Sequence, residues 1–129
     1  MFSEQELAYL QSQRLARLAT VGASGQPTVD AVGFSLDGGQ MLIGTHSPAL
    51  TRKYKNVQDG NTQVALIVDD LASVQPWRPR GIKIHGTAEV VERSGHFGPG
   101  RYIVITPTVS WSWGIESREG ASGPKKTVW

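Results

Sequence analysis

The chain has 129 residues, with 13 basic side chains, 11 acidic side chains and no cysteine. This length fits one domain with a substantial core, and the lack of cysteine excludes disulfides, cysteine-ligated metal clusters and a thiolate nucleophile. The formal net charge of +2 is too balanced to favour a nucleic-acid-binding protein.

The first residues predict a short helix and not a targeting segment. Ser3 and Glu6 have the spacing of a capping box, and the helix is expected to end near Gln11. A secretory signal needs a basic start and an apolar stretch, and the N-terminal residues have neither. The longest apolar run, Val64–Val68, is too short to cross a bilayer. We therefore expect a cytoplasmic protein with no membrane partner.

The first half of the chain continues with three strand-like runs, each ended by a turn. Between the second and the third, Asp37-Gly38-Gly39 predicts a hairpin, because glycine accepts a positive φ without a Cβ clash. The predicted strands span residues 15–21, 28–36 and 41–45.

The second half of the chain predicts one helix and three more strands. Residues 51–59 predict the helix, and Gly60 ends it. The run 69–80 contains two prolines and many polar residues, so it predicts a loop. The predicted strands span residues 63–68, 82–92 and 101–106, and a turn over 94–100 joins the last two.

Together these elements predict a mostly β, α+β domain. Six strands in hairpin order, with two short helices, favour an antiparallel sheet that forms a barrel. We expect a single domain over residues 1–116. Residues 117–129 are rich in Gly, Ser and Lys, and they predict a flexible C-terminal tail.

Eight short segments, in their order and spacing, resemble the pyridoxamine phosphate oxidase-like superfamily of FMN-binding split barrels. No segment is decisive singly, but together they lie within residues 5–115. The similarity is greatest to the deazaflavin-dependent branch, common in actinobacteria, and the last segments look most like a subgroup that includes a tetracycline-type ene reductase. The segments are Arg17-Leu18-Ala19-Thr20, Gly25-Gln26-Pro27, Val32-Gly33-Phe34, Gly44-Thr45, Arg52-Lys53, Val68-Asp69-Asp70, Trp77-Arg78-Pro79-Arg80-Gly81 and Ser112-Trp113-Gly114.

This resemblance implies a six-stranded antiparallel split β-barrel with short flanking helices, acting as a homodimer with two cofactor sites at the interface. It implies coenzyme F420 as cofactor more than FMN, and an oxidoreductase that transfers a hydride to an unsaturated small organic substrate. Two alternatives stay open: an FMN-dependent oxidoreductase of the same fold, and a non-catalytic cofactor-binding or carrier protein. The superfamily often carries a helix beside its substrate where this chain has the short turn 94–100, so the substrate pocket stays undefined.

A basic segment is the first candidate for holding the cofactor. Both cofactors carry phosphate, which is bound by cationic side chains and by free N–H groups at the start of a helix. The alternative interpretation is an ordinary solvated helix face. The candidates are the cations Arg52, Lys53 and Lys55, and the hydroxyls of Thr45, Ser47 and Thr51 that precede or open the predicted helix.

A glycine inside the second predicted strand is the next candidate. Glycine in a strand interior is costly and often marks the close approach of a ligand or of another backbone. The resemblance places the backbone of Val32, Gly33 and Phe34 beside the cofactor ring. The alternative interpretation is a β-bulge at a barrel corner.

Three tryptophans and an arginine complete the candidate set. Trp77 lies beside cations in the predicted loop, where it can cover a cofactor or substrate ring, fill a dimer interface or anchor its own loop. Arg80 can reach the cofactor of the partner subunit. Trp111 and Trp113 would share one face of a strand, where a dimer contact competes with a substrate wall, and Trp113 is expected near the cofactor.

The histidines do not predict a metal site. His46, His85 and His96 lack metal-ligand spacing and an adjoining carboxylate cluster, and Asp69-Asp70 is interpreted as a polar strand end. No catalytic residue is identified from the sequence. The proton donor for a reduced substrate is therefore either solvent or Tyr54.

Overall fold

The computed structural model describes residues 1–44, 51–95, 97–117, 120 and 122–129. Neither helix in this part of the chain has the length and apolar character that a membrane span requires. In chain order the elements are α1 (Glu4–Ser12), β1 (Leu15–Val21), β2 (Pro27–Gly33), β3 (Ser35–Asp37), β4 (Gln40–Gly44), α2 (Arg52–Gln58), β5 (Gln63–Ser73), β6 (Arg78–Gly95), β7 (Gly98–Trp113) and β8 (Lys125–Val128).

The strands form one antiparallel sheet in the order β2-β1-β5-β6-β7-β4-β3, and β8 pairs with β7 outside this path. Strands β2 and β4 approach each other, but β2 and β3 at the ends of the order are not a hydrogen-bonded pair within the described ranges. The mostly β split-barrel class predicted from the sequence is therefore confirmed.

The predicted count of six strands is wrong, because the described residues form eight. The run 28–36 is two strands, since the chain leaves β2 after Gly33 and starts β3 at Ser35. The eighth strand, β8, lies in the segment predicted as a flexible tail. That expectation does not hold for Lys125–Val128, which pair in register with Val109–Ser112 of β7.

Helix α1 begins as the capping box predicts. The Ser3 hydroxyl accepts a hydrogen bond from the backbone N–H of Glu6, and the Glu6 carboxylate accepts one from the backbone N–H of Ser3. This reciprocal pair satisfies two N–H groups that a helix start otherwise leaves without partners. Tyr9 and Leu10 are buried on the inner side of α1.

The core fills the inside of the curved sheet. Strand β1 shows the underlying period of two, since Ala16 and Leu18 are buried while Leu15 and Arg17 are exposed. Burial of each large aliphatic side chain contributes about 1.5–3 kcal/mol relative to exposure. The main cluster takes its largest fully buried aliphatic members from α1 and five strands: Leu10, Leu18, Met41, Ile43, Val68, Ile82, Ile84, Ile103 and Ile105.

The loop predicted over 69–80 is wrong. Strand β5 continues to Ser73, β6 begins at Arg78, and only the tip between them lacks pairing. Asp70 lies opposite Arg80 in this ladder, so polar side chains satisfy one another across the two strands. The hairpin extends past the core, where polar residues do not argue against a strand.

Strand β7 runs seven residues beyond its predicted end at Thr106, to Trp113. This longer strand contains Pro107, although proline lacks the N–H that a ladder needs. The register with β6 shifts between His85 and Gly86, and Thr108 is the extra residue. A β-bulge therefore admits the proline and lets pairing resume. The turn predicted over 94–100 is also shorter, because β6 ends at Gly95 and β7 starts at Gly98.

Candidate functional site

A cleft of about 520 Å³ opens between the C-terminal end of α1 and the segment that joins β2 to β3. Two predicted cofactor residues, Gly33 and Phe34, line it. The third, Val32, is 5% exposed, packs into the core and does not line the cleft. The α1 end contributes Gln11, Ser12, Gln13 and Arg14, and the remaining lining residues are Leu10, Ser35, Leu36 and Phe97.

At the Gly33 and Phe97 side of the cleft, the backbones of Gly33 and Gly44 form a cradle, with the ring of Phe97 against them. A Cβ atom on Gly33 would lie 2.9 Å from Cζ of Phe97, and one on Gly44 would lie 2.6 Å from its Cδ2. Real Cβ atoms do not approach other atoms this closely. The cradle admits a flat ring because both residues lack a side chain, so this part of the site fits the planar ring of a flavin or deazaflavin.

The basic segment forms helix α2, whose inner side carries the buried residues Tyr54, Asn56 and Val57. Arg52 and Lys55 are exposed and Lys53 is half-buried. A cluster of cations with solvent access suits a phosphate. Thr51 is the N-cap residue of α2 and does not cap it through its side chain. The predicted hydroxyls of Thr45 and Ser47, like His46, lie outside the described residues.

Arg101 adds a cation to this region that the sequence did not predict. Its guanidinium donates a hydrogen bond to the Tyr54 hydroxyl over 3.2 Å, and this bond raises the pKa of Arg101 above its ordinary value. Arg101 comes from β7, 46 to 49 positions from the cations of α2, so no local pattern links them. Tyr54, one of two predicted proton donors, is 2% exposed and engaged by this guanidinium.

Arg80 is held by Asp70 through two hydrogen bonds, of 2.7 Å from Nε and 2.9 Å from Nη2. The Tyr9 hydroxyl donates to the same carboxylate over 3.0 Å, and the Arg80 guanidinium lies 5.0 Å from the centre of the Tyr9 ring. The hydrogen bond from Arg80 lowers the pKa of Asp70, and burial raises the pKa of Tyr9. Arg80, predicted to reach a cofactor, is therefore already engaged within its own chain.

Trp77 stands at the tip of the β5–β6 hairpin with 66% of its surface exposed. Val74, beside it at the tip, is 68% exposed. The interpretation that Trp77 anchors its own loop is therefore not supported. The tip therefore carries exposed apolar surface.

Trp111 and Trp113 lie on β7 with the buried Ser112 between them, as their two-residue spacing predicts. The Trp111 ring meets the His85 ring edge to face, with centroids 4.9 Å apart, and Nζ of Lys83 lies 4.5 Å from its centre. Trp113 packs on Gly81, where a Cβ atom would come within 2.6 Å of its Cζ2. His96, the remaining histidine, lies outside the described residues.

The outer face of the sheet carries a continuous row of mostly apolar side chains. Cross-strand register aligns one residue from each of six strands, and the two end residues, Val29 and Val128, are 66% and 73% exposed. A second cavity, of about 470 Å³, opens on the middle of this row. In spatial order the row is Val29, Ala19, Ala65, His85, Val109 and Val128.

Comparison with known proteins adds a family to this geometry. A family model described as pyridoxamine 5'-phosphate oxidase matches residues 2–113. A relative from Streptomyces rimosus subsp. rimosus, described as a 5a,11a-dehydrotetracycline/5a,11a-dehydrooxytetracycline reductase, is 38% identical over 122 residues, which cover 89% of this chain and 84% of the relative.

Two solved structures are similar in fold. One, described as an F420 reductase, has a TM-score of 0.59 and 26% identity, over 76% of this chain and 89% of that one. A conserved hypothetical protein from Mycobacterium tuberculosis has a TM-score of 0.70 and 21% identity, over 95% of this chain and 94% of that one. The second likeness concerns the fold alone.

Proposed function

Because the chain belongs to the pyridoxamine 5'-phosphate oxidase family, we propose that it is an oxidoreductase that binds coenzyme F420 and reduces an unsaturated small organic substrate. The observation that carries this proposal is the glycine cradle of Gly33 and Gly44, where a planar ring, that of Phe97, lies directly against the two backbones. The reductase relative, 38% identical over most of both chains, supports reduction as the reaction. The solved structure described as an F420 reductase supports the choice of cofactor.

When bound, the deazaflavin supplies a hydride from its ring carbon. The residues of this chain bind the cofactor, orient its ring and shield it from water. Arg52, Lys53 and Lys55 attract the phosphate by charge-assisted hydrogen bonds, and Arg101 adds positive charge nearby. The glycines of the cradle let a ring lie close to the backbone, and Phe34 contributes apolar surface that excludes water. Solvent is our proposed proton source, because Tyr54 is buried under Arg101.

We further propose that the protein is a homodimer with two cofactor sites at its interface. The row from Val29 to Val128 is mostly apolar and open along the outer face of the sheet, as expected of a surface that a second copy covers. Trp77 and Trp113 would then lie near the dimer interface, where each can reach the cofactor or the second chain. A monomer would leave both the row and the hairpin tip in water.

A parallel titration with coenzyme F420 and FMN, followed by quenching of protein fluorescence, tests the cofactor. We expect tighter binding of coenzyme F420. Tighter binding of FMN would favour an FMN-dependent oxidoreductase, which needs the same cations. Turnover is then tested with reduced cofactor and a panel of enones; tight binding with no oxidation of the cofactor by any of them would favour a carrier.

A further inference from the structure

Phe97 is a half-exposed aromatic residue at the tip of the β6–β7 hairpin, and it fills the cradle described above. Half of its surface remains in contact with solvent. Its ring atoms lie against Gly33 at the end of β2 and Gly44 at the end of β4. A large apolar side chain at a hairpin tip thus reaches back to cover two glycine backbones.

Glycine at these two positions is a matter of space and not of backbone conformation. Neither Gly33 nor Gly44 has a φ in the left-handed region, in contrast to nine other glycines of the chain. Alanine could adopt both backbones. What excludes a Cβ is the ring of Phe97, together with the Tyr102 ring at Gly44. The cradle is therefore a slot of ring thickness.

The backbone that carries Phe97 is anchored independently of the ring. The Tyr102 hydroxyl accepts a hydrogen bond from the Phe97 N–H over 3.1 Å and donates one to the Gly98 carbonyl over 2.5 Å. Tyr102 is itself 2% exposed, so this anchor is fixed to the body of the sheet. The ring can therefore leave the slot by rotation of its side chain while the hairpin keeps its place.

We propose that Phe97 is an internal competitor for the ring of the cofactor. Its ring occupies the Gly33–Gly44 slot in the unliganded protein and swings out when the planar ring enters. This inference rests on the proposed function, because it assigns the slot to the cofactor ring. The cofactor then has to displace Phe97, so the apparent affinity falls with the fraction of molecules in which the slot is free. A free fraction of about one in ten would lower the apparent affinity about tenfold.

The test starts with Phe97→Ala and a titration with coenzyme F420. Removal of the competing ring is expected to lower the dissociation constant about tenfold. Leu71→Ala is the matched control, because Leu71 is a 41% exposed apolar residue of the other long hairpin, and its loss should leave the affinity unchanged. Weaker binding by Phe97→Ala would mean that the ring packs on the cofactor, and unchanged binding would place the cofactor elsewhere. Either result overturns the proposal.

Gly33→Ala provides a readout that does not depend on catalysis. The added methyl group meets only Phe97 atoms among the near contacts, so it should lower the melting temperature of the parent but not that of the Phe97→Ala variant. The double variant should also lose the tenfold gain in affinity, because the methyl group narrows the slot. Equal destabilisation in both backgrounds would contradict the contact on which the proposal stands.

Lumiflavin, which has the ring but no phosphate, separates this proposal from the proposed function. Suppose that Phe97→Ala binds lumiflavin more tightly than the parent and that no variant binds coenzyme F420 or FMN. This result would support competition by Phe97 for a planar ring in the slot, and it would overturn the cofactor assignment. Tight binding of coenzyme F420 that Phe97→Ala does not alter overturns the competitor alone. If no probe binds any variant, both proposals fail.

Discussion

Lys125 lies between two carboxylates at the junction of the chain ends. Its Nζ is 3.1 Å from Oε2 of Glu116 and 3.7 Å from Oε1 of Glu6. Glu6 is 1% exposed, and its Oε2 has no hydrogen-bond partner among the described groups. Because a buried carboxylate without its counter-charge is costly, this lysine matters more to stability than an exposed ion pair does.

Lys125→Met should therefore lower the free energy of unfolding by about 2–3 kcal/mol. This is less than the effect for a fully buried pair, because Lys125 keeps some access to water. Urea denaturation measures the change, and Lys126→Met, next along β8 and exposed, is the control with a change below about 0.5 kcal/mol. Equal midpoints for the two variants would contradict the role given to Lys125.

For Arg52 and Lys53 we predict the opposite: their substitution changes the affinity for the cofactor and leaves the stability of the fold nearly unchanged. Arg52→Ala or Lys53→Ala should each weaken binding of coenzyme F420 by about ten- to more than a hundred-fold, since a charge-assisted hydrogen bond contributes about 1.5–3 kcal/mol. The melting temperature of the unliganded protein should stay nearly fixed, because charges that keep access to solvent add little stability.

Fluorescence titration measures the affinity, and Lys53→Arg is the control that keeps the charge. If both alanine variants bind coenzyme F420 with the affinity of the parent, the basic segment is only a solvated helix face. Loss of folding in both would make these residues structural.

Helix α1 and the β5–β6 hairpin are joined by the Tyr9–Asp70–Arg80 cluster, in which Asp70 bonds to both other members. The pKa of Asp70 is lower in the folded chain than in the unfolded chain, so the folded state binds fewer protons. The stabilisation is present above the ordinary aspartate pKa of about 3.9 and is lost as the pH falls through the lowered value.

Asp70→Asn should therefore lose less stability than the parent between pH 6 and pH 3, while being less stable at pH 6. Urea denaturation at several pH values measures this, and Asp59→Asn, exposed at the end of α2, is the control that should follow the parent. Parallel stability curves for Asp70→Asn and the parent would show that the cluster does not couple to protons.

The bounds of the elements show how far sequence patterns reach. The bounds of β1 and the capping box of α1 match the structure, because local alternation and local hydrogen bonds determine them. The β5–β6 extension was missed because its polar residues pair across strands, and β8 because it follows a glycine-rich segment. The Phe97 cradle joins three distant segments, so no local pattern could predict it.

At the scale of the whole molecule, the outer row predicts a dimer at micromolar concentration. Ala65→Arg places a charge in the middle of the row and should give a monomer, because an unpaired charge at an interface core is strongly unfavourable. Sedimentation measures the assembly and circular dichroism the fold, with Gln58→Arg on the exposed side of α2 as the control. A monomeric parent would contradict the proposed interface.

The contact between the chain ends has a consequence for the order of folding. The rings of Phe2 and Trp129 meet edge to face with centroids 4.6 Å apart. Close to them, Lys125 forms an ion pair with the Glu6 carboxylate. Contacts that close the longest loops have the highest entropic cost, so these are expected to form after the transition state. Lys125→Met should then accelerate unfolding and leave the refolding rate nearly unchanged, which stopped-flow chevron plots measure. The contacts between the two ends would thus slow unfolding of the folded chain and have little effect on its rate of folding.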